Sequence, residues 1–130
     1  MTKKKISKFM GLLVITCIML MPISVMAATK DFSFNMVHQL TIGRYKSTKN
    51  SVTATVNMTS WGGDDYFTIH IYERGFGSTR LVDRLGFSKS SEGSPYTRTS
   101  NKVEKGNKYG YEIWKNQNGK RIKGSGSLSY

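Results

Sequence analysis

Two adjacent carboxylates, Asp64 and Asp65, lie in "WGGDDY" (61–66), and the chain has two histidines, His38 and His70. Paired carboxylates suit general acid–base work or a hard cation such as calcium. Calcium takes more oxygen ligands than this stretch offers, and adjacent residues on an extended chain point to opposite faces. Asp is also a turn former, because its side chain bonds nearby backbone N–H groups. The motif therefore reads as a bend. No His, Asp and Glu spacing suggests zinc. The serines occur in turn-like contexts without a nucleophile elbow, and no phosphate-cradling loop is present. The sequon at Asn57 falls in mid-strand. No catalytic residue, cofactor or metal is expected, and His38, on an apolar face, is expected to be hydrogen-bonded and partly buried.

Two residue sets could bind rather than react. One is aromatic: Trp61, Tyr66, Tyr72 and Trp114, accompanied by His70 and several threonines. Such rings stack on sugars and anchor interfaces. The other is basic: Arg74, Arg80 and Arg84 around the fourth predicted strand, with Lys115, Lys120, Arg121 and Lys123 near the last turn. Arg80 and Arg84 are expected on one strand face. The bland alternatives are strand decoration and solvated charge that protects sheet edges.

Period-two alternation must position these residues, since no stretch carries a helical stripe. Seven strands are predicted, at 32–42, 51–59, 66–73, 80–87, 95–103, 108–115 and 121–130. With turn signals between them they imply an all-β, antiparallel sandwich. Val52, Ala54, Val56 and Met58 form one face of the second, and Phe67, Ile69 and Ile71 one face of the third. A hairpin with Gly62 and Gly63 at its tip would pair Met58 with Phe67 and Val56 with Ile69. A second, around Asn118-Gly119, would pair Ile113 with Gly124 and Tyr111 with Gly126. The glycines of "GSGS" would then make room for large neighbours, and Trp114 would face Lys123 in a cation–π contact.

"VEKGNKYGYEI" (103–113) resembles the corner between the fifth and sixth strands of fibronectin-type and immunoglobulin-like sandwiches. The resemblance implies that layout, with Tyr109 bonding upstream backbone through its hydroxyl. It covers 11 residues and implies no function. The third strand carries no Trp, and the cysteine pair of antibody domains is missing. The whole layout is also similar to small exported proteins of Gram-positive bacteria, some of them thought bacteriocin-like.

Residues 1–27 read as a secretory signal peptide, and 28–130 as one β-sandwich domain. Lys3, Lys4, Lys5 and Lys8 precede an apolar run, and Val25 and Ala27 fit the −3 and −1 positions of a cleavage site. The rival reading is an uncleaved anchor. A lipid anchor at Cys17 is disfavoured, because Thr16 precedes it and the apolar run continues. The chain from Ala28 thus has no cysteine, and it carries 16 cations against 8 acids, a net +8. Such a charge favours anionic partners and says nothing of fold. The expectation is a secreted, extracellular, cationic and non-enzymatic module that binds an anionic cell-envelope polymer or membrane surface. The alternatives are a secreted antimicrobial effector and a carbohydrate-binding module. Nucleic acid is not an expected partner for an exported chain.

Overall fold

The computed structural model describes residues 26–90 and 93–130, so the predicted leader up to Val25, with Cys17, lies outside the described residues. Eight strands follow in chain order: β1 (Thr29–Met36), β2 (Gln39–Lys46), β3 (Val52–Ser60), β4 (Tyr66–Arg74), β5 (Thr79–Ser88), β6 (Tyr96–Ser100), β7 (Lys108–Trp114) and β8 (Ile122–Ser129). Among the described residues no helix is long and apolar enough to cross a membrane.

The strands form two antiparallel four-stranded sheets, ordered β1-β8-β3-β6 and β2-β7-β4-β5, as a β-sandwich. Alternation sets each inward face. Val52, Ala54 and Val56 on β3 meet Phe67, Ile69 and Ile71 on β4 in the buried core, joined by Phe34, Tyr111, Ile113, Ile122 and Leu128. Burying each of these larger side chains contributes about 1.5–3 kcal/mol. The order is that of a jelly roll of two Greek keys, not the immunoglobulin order. Only β4 and β5 pair as sequence neighbours; β1 pairs with β8, Thr29 opposite Ser129.

Three local expectations change accordingly. The strand predicted at 32–42 is two strands, which turn between sheets at Val37 and His38. Neither expected hairpin forms: β3 lies between β8 and β6, and β4 between β7 and β5. The physical reason is common to both. Two strands whose apolar faces both point inward satisfy the same pattern side by side or across the core, and "WGGDDY" and "NQNGKR" connect strands of opposite sheets.

The glycines of β8 do make room for large side chains, but for other rings. Gly124 pairs with Phe34 and Gly126 with Phe32. A Cβ on Gly124 would stand 2.6 Å from Phe34 Cζ. The "GSGS" segment is an inner strand, between β1 and β3. Tyr109 behaves as its motif implies: the Glu104 N–H donates to its hydroxyl at 2.9 Å, and the ring is buried.

Candidate functional site

The outward side of the β2-β7-β4-β5 sheet gathers most of the chemistry of the molecule. Residues directly opposite in a ladder share a face. The registers therefore set Gln39, Trp114, Thr68 and Gly86 in one row, then Thr41, Glu112, His70 and Arg84, then Arg44, Gly110, Tyr72 and Leu81. Bulges between Thr41 and Gly43 and between Ile71 and Tyr72 re-aim Arg44 and Leu81 into the third row.

An ordered cluster occupies the centre of this face. Trp114 stacks on His70, with ring centroids 5.2 Å apart and planes at 14°. His70 Nδ1 shares a 3.0 Å hydrogen bond with the Tyr72 hydroxyl. Trp114 Nε1–H donates to Glu112 at 3.0 Å, which occupies the only carboxylate in these rows. Burial pushes the His70 pKa down; Arg84 opposite adds to this, and Glu112 opposes it. Burial, then the Glu112 charge, raises Tyr72.

Beside the cluster lies an open depression of about 380 Å³, lined by Thr41, Arg44, Tyr72, Arg74, Gly110 and Glu112 among others. Gly110 leaves its floor low: a Cβ there would stand 3.5 Å from Arg44 and 3.9 Å from Tyr72. Among the described residues Arg44, Arg74 and Arg84 form no salt bridge, and all three are exposed. Guanidinium forks of this kind take carboxylate or phosphate oxygens in pairs, and the tyrosine ring and hydroxyl offer stacking and a further hydrogen bond.

Of the aromatic residues singled out in the sequence, Tyr66, Tyr72 and Trp114 lie on this face. Trp61 does not. It is buried in the core, against Phe67 at 5.6 Å and edge-on to Tyr96 at 5.6 Å. Indole area inside a sandwich gains more from burial than from exposure on a turn. Trp114 meets Gln39, Thr68 and His70 rather than Lys123, because β7 and β8 belong to different sheets.

The basic set divides. Arg74 and Arg84 join the face. Arg80 pairs opposite Glu73, with an ion pair of 2.5 Å, whereas Arg84 pairs opposite His70. Glu73 and His70 are three residues apart, so the β4–β5 bulge sends the two arginines to opposite faces. Lys120 and Arg121 lie beyond the other end of the sheet. Lys120 Nζ bonds Gly63 O at 3.4 Å, and Arg121 bonds Asn35 O at 3.1 Å. Lys123 is exposed on β8, in the opposite sheet.

Lys115 is not a surface cation at all. Its side chain is 0 % exposed, and its ammonium donates to Val37 O, Asn116 O and Asn118 Oδ1. It also lies 2.9 Å from the Asp64 carboxylate. That explains "WGGDDY". Asp64 N–H closes the bend on Trp61 O at 2.9 Å, and its side chain takes Asn118 Nδ2–H at 2.7 Å. Burial alone would raise Asp64; Asn118 and the Lys115 charge together outweigh that and hold it below the usual carboxylate range. Asp65 is exposed.

His38 is half-buried and hydrogen-bonded, Nδ1 to Lys115 O at 2.9 Å, as its position on an apolar face suggests. The sequence alone singles out none of Arg44, Glu112 and Gly110. Their signal is faint: Arg44 follows a bulge at Gly43 that breaks the period of two, and Glu112 and Gly110 show only as the polar alternates of β7.

No protein-family model and no curated protein matches this chain. Two solved structures are similar in outline. One is PliG of Aeromonas hydrophila, a periplasmic inhibitor of g-type lysozyme, at 14% identity and TM-score 0.41, covering 84% of this chain and 90% of that one. The other is Salmonella Typhimurium PliG, also a periplasmic inhibitor of g-type lysozyme, at 14% identity and TM-score 0.42, covering 84% and 93%. At these values the likeness assigns neither fold nor partner.

Proposed function

We propose that this protein is an exported, non-enzymatic binding module that engages an anionic polymer of the cell envelope through the outward face of the β2-β7-β4-β5 sheet. One observation carries the reading: Arg44, Arg74 and Arg84, none of them in a salt bridge among the described residues, border the Tyr72–His70–Trp114 cluster on an open face. The single carboxylate among them, Glu112, is engaged by the indole. Polyanions bearing phosphate at regular intervals, such as wall teichoic acid, match a set of spaced guanidinium groups. The long apolar leader supplies the export reading.

Retention on isolated cell walls, with and without teichoic acid, tests the proposal. The protein should be retained on the intact walls and released by moderate salt, because exposed charges are screened within about 10 Å at 0.1 M. The double variant Arg74→Glu with Arg84→Glu should lose retention while keeping its circular dichroism. Full retention by that variant, or equal retention on walls stripped of teichoic acid, overturns the reading. Salt-resistant retention lost in Trp114→Ala would mark a carbohydrate-binding module instead, since stacking is insensitive to screening.

A further inference from the structure

The end of the sandwich that carries the β4–β5 connection has a different character from the face above. Phe76, at the tip of the only hairpin among the described residues, is 111% exposed. Gly75 and Gly77 flank it, the turn closes through Gly75 N–H to Ser78 O at 2.7 Å, and Gly77 has φ +75°. The ring is left wholly in water, so packing among the described residues does not account for a phenylalanine here. A ring left wholly in water keeps its full apolar area for burial against another surface.

Lys46 and Lys108 pair at the end of the β2–β7 ladder, on the side to which Arg74 points beyond Tyr72. The loop after Lys46 is bonded to the one before Lys108, through Ser47 to Asn107 at 2.8 Å and Lys105 to Asn50 at 2.8 Å, so Lys105 belongs to the same end. Arg74, Lys46, Lys105 and Lys108 are exposed and form no salt bridge among the described residues. Of the acids here, Glu73 is held by Arg80 and Glu104 is exposed. The chain enters β1 at this end too, since Thr29 pairs with Ser129 and Ser129 with Thr53.

We propose that this end is a membrane-docking surface, with Phe76 entering the interfacial zone of an anionic phospholipid bilayer while Arg74, Lys46, Lys105 and Lys108 meet lipid phosphates. The proposal goes beyond the polymer-binding face, with which it shares only Arg74, and adds the β4–β5 tip and the loops at that end of the sheet. A bilayer fits better than a protein pocket because the cations come from separate connections and stand exposed, so a planar, diffuse anion meets them together. One aromatic residue with basic neighbours gives the two weak signals that reversible surface binding requires. The hollow beneath the tip, lined by Arg74, Gly75, Gly77, Ser78 and Thr79, adjoins the Arg44–Tyr72 depression through Arg74 and Thr79, leaving space for a headgroup.

Vesicle co-sedimentation tests this with the chain from Ala28, which contains all eight strands and every core residue. Vesicles of phosphatidylcholine with one part in three phosphatidylglycerol should bind it, and pure phosphatidylcholine should not. Phe76→Ser should weaken binding roughly tenfold, Phe76→Trp should restore it with a blue-shifted emission on binding, and Lys105→Glu with Lys108→Glu should abolish it. Phe76 is fully exposed, so these variants retain the fold, which circular dichroism checks. Failure of the wild-type chain to bind anionic vesicles, or unchanged binding by Phe76→Ser, overturns the proposal and leaves a protein pocket as the occupant. Trp114→Ala should bind vesicles normally, so failure of the wall-polymer reading would leave this result standing.

Discussion

Lys115 Nζ lies 2.9 Å from the Asp64 carboxylate, with the two side chains 0% and 10% exposed. The contact joins the β3–β4 connection to the β7–β8 connection, and Asn118 bonds both partners. It clips the two segments that look most like independent hairpins in the sequence.

Removing one member of a buried pair leaves the other charge uncompensated. Asp64→Asn should cost about 3 kcal/mol, or roughly 15 °C in melting temperature. Adding Lys115→Met should not recover that loss, because Met leaves Val37 O, Asn116 O and Asn118 Oδ1 without their donor. Asp65→Asn should stay within about 0.5 kcal/mol, because Asp65 is exposed. Calcium should not raise the melting temperature, since Asp64 is already engaged. Thermal unfolding of the four proteins checks this.

The same pair gives a pH dependence of definite sign. The folded pKa of Asp64 is depressed, so its contribution is present above the ordinary carboxylate value and is lost as pH falls through the folded one. Chemical denaturation of wild type against Asp64→Asn across the acid range should show the two stabilities converging below the ordinary carboxylate range. Parallel curves would contradict this.

Gly62 has φ +60°, and a Cβ there would collide with Arg121 O; Gly63 has φ +93°. Changing both to Val should cost more than about 2 kcal/mol, because branched side chains resist positive φ and the β8 entry must move. Urea midpoints measure it.

Gly124→Ala places its methyl 2.5 Å from Asn57 O, which belongs to the backbone of β3 and cannot rotate away. Overpacking of this kind should cost about 1–3 kcal/mol. Phe34→Leu should not rescue it, since the carbonyl remains. Urea denaturation of the single and double variants distinguishes the two contacts.

His70 should titrate below the ordinary histidine value of about 6.5, since burial and Arg84 both favour the neutral ring. Its contribution to stability is then present above that value and lost as pH falls toward the folded pKa. By NMR, Arg84→Ala should raise the midpoint and Glu112→Gln should lower it further. A midpoint unmoved by both variants would remove His70 from this electrostatic cluster.

Alternation alone was enough to identify an all-β sandwich, to orient Val52–Val56 and Phe67–Ile71 toward its core, and to place Tyr66, Tyr72 and His70 together on a face. A residue's side on a strand is local information, carried by a period of two. The motif around Tyr109 was legible for the same reason, since its hydroxyl reaches only as far as Glu104. Which strands are neighbours was decided by the tertiary structure alone. Ile113 lies beside Leu40 and Ile69, and Gly124 beside Phe34 and Met58, through ladders that join distant parts of the chain. The same long-range choice buried Lys115 against Asp64, took Trp61 into the core, and split Arg80 from Arg84 at a bulge. Burial, ion pairing and bulges depend on what packs opposite a residue, and an alternating pattern is equally satisfied by a neighbour in the same sheet and by one across the core.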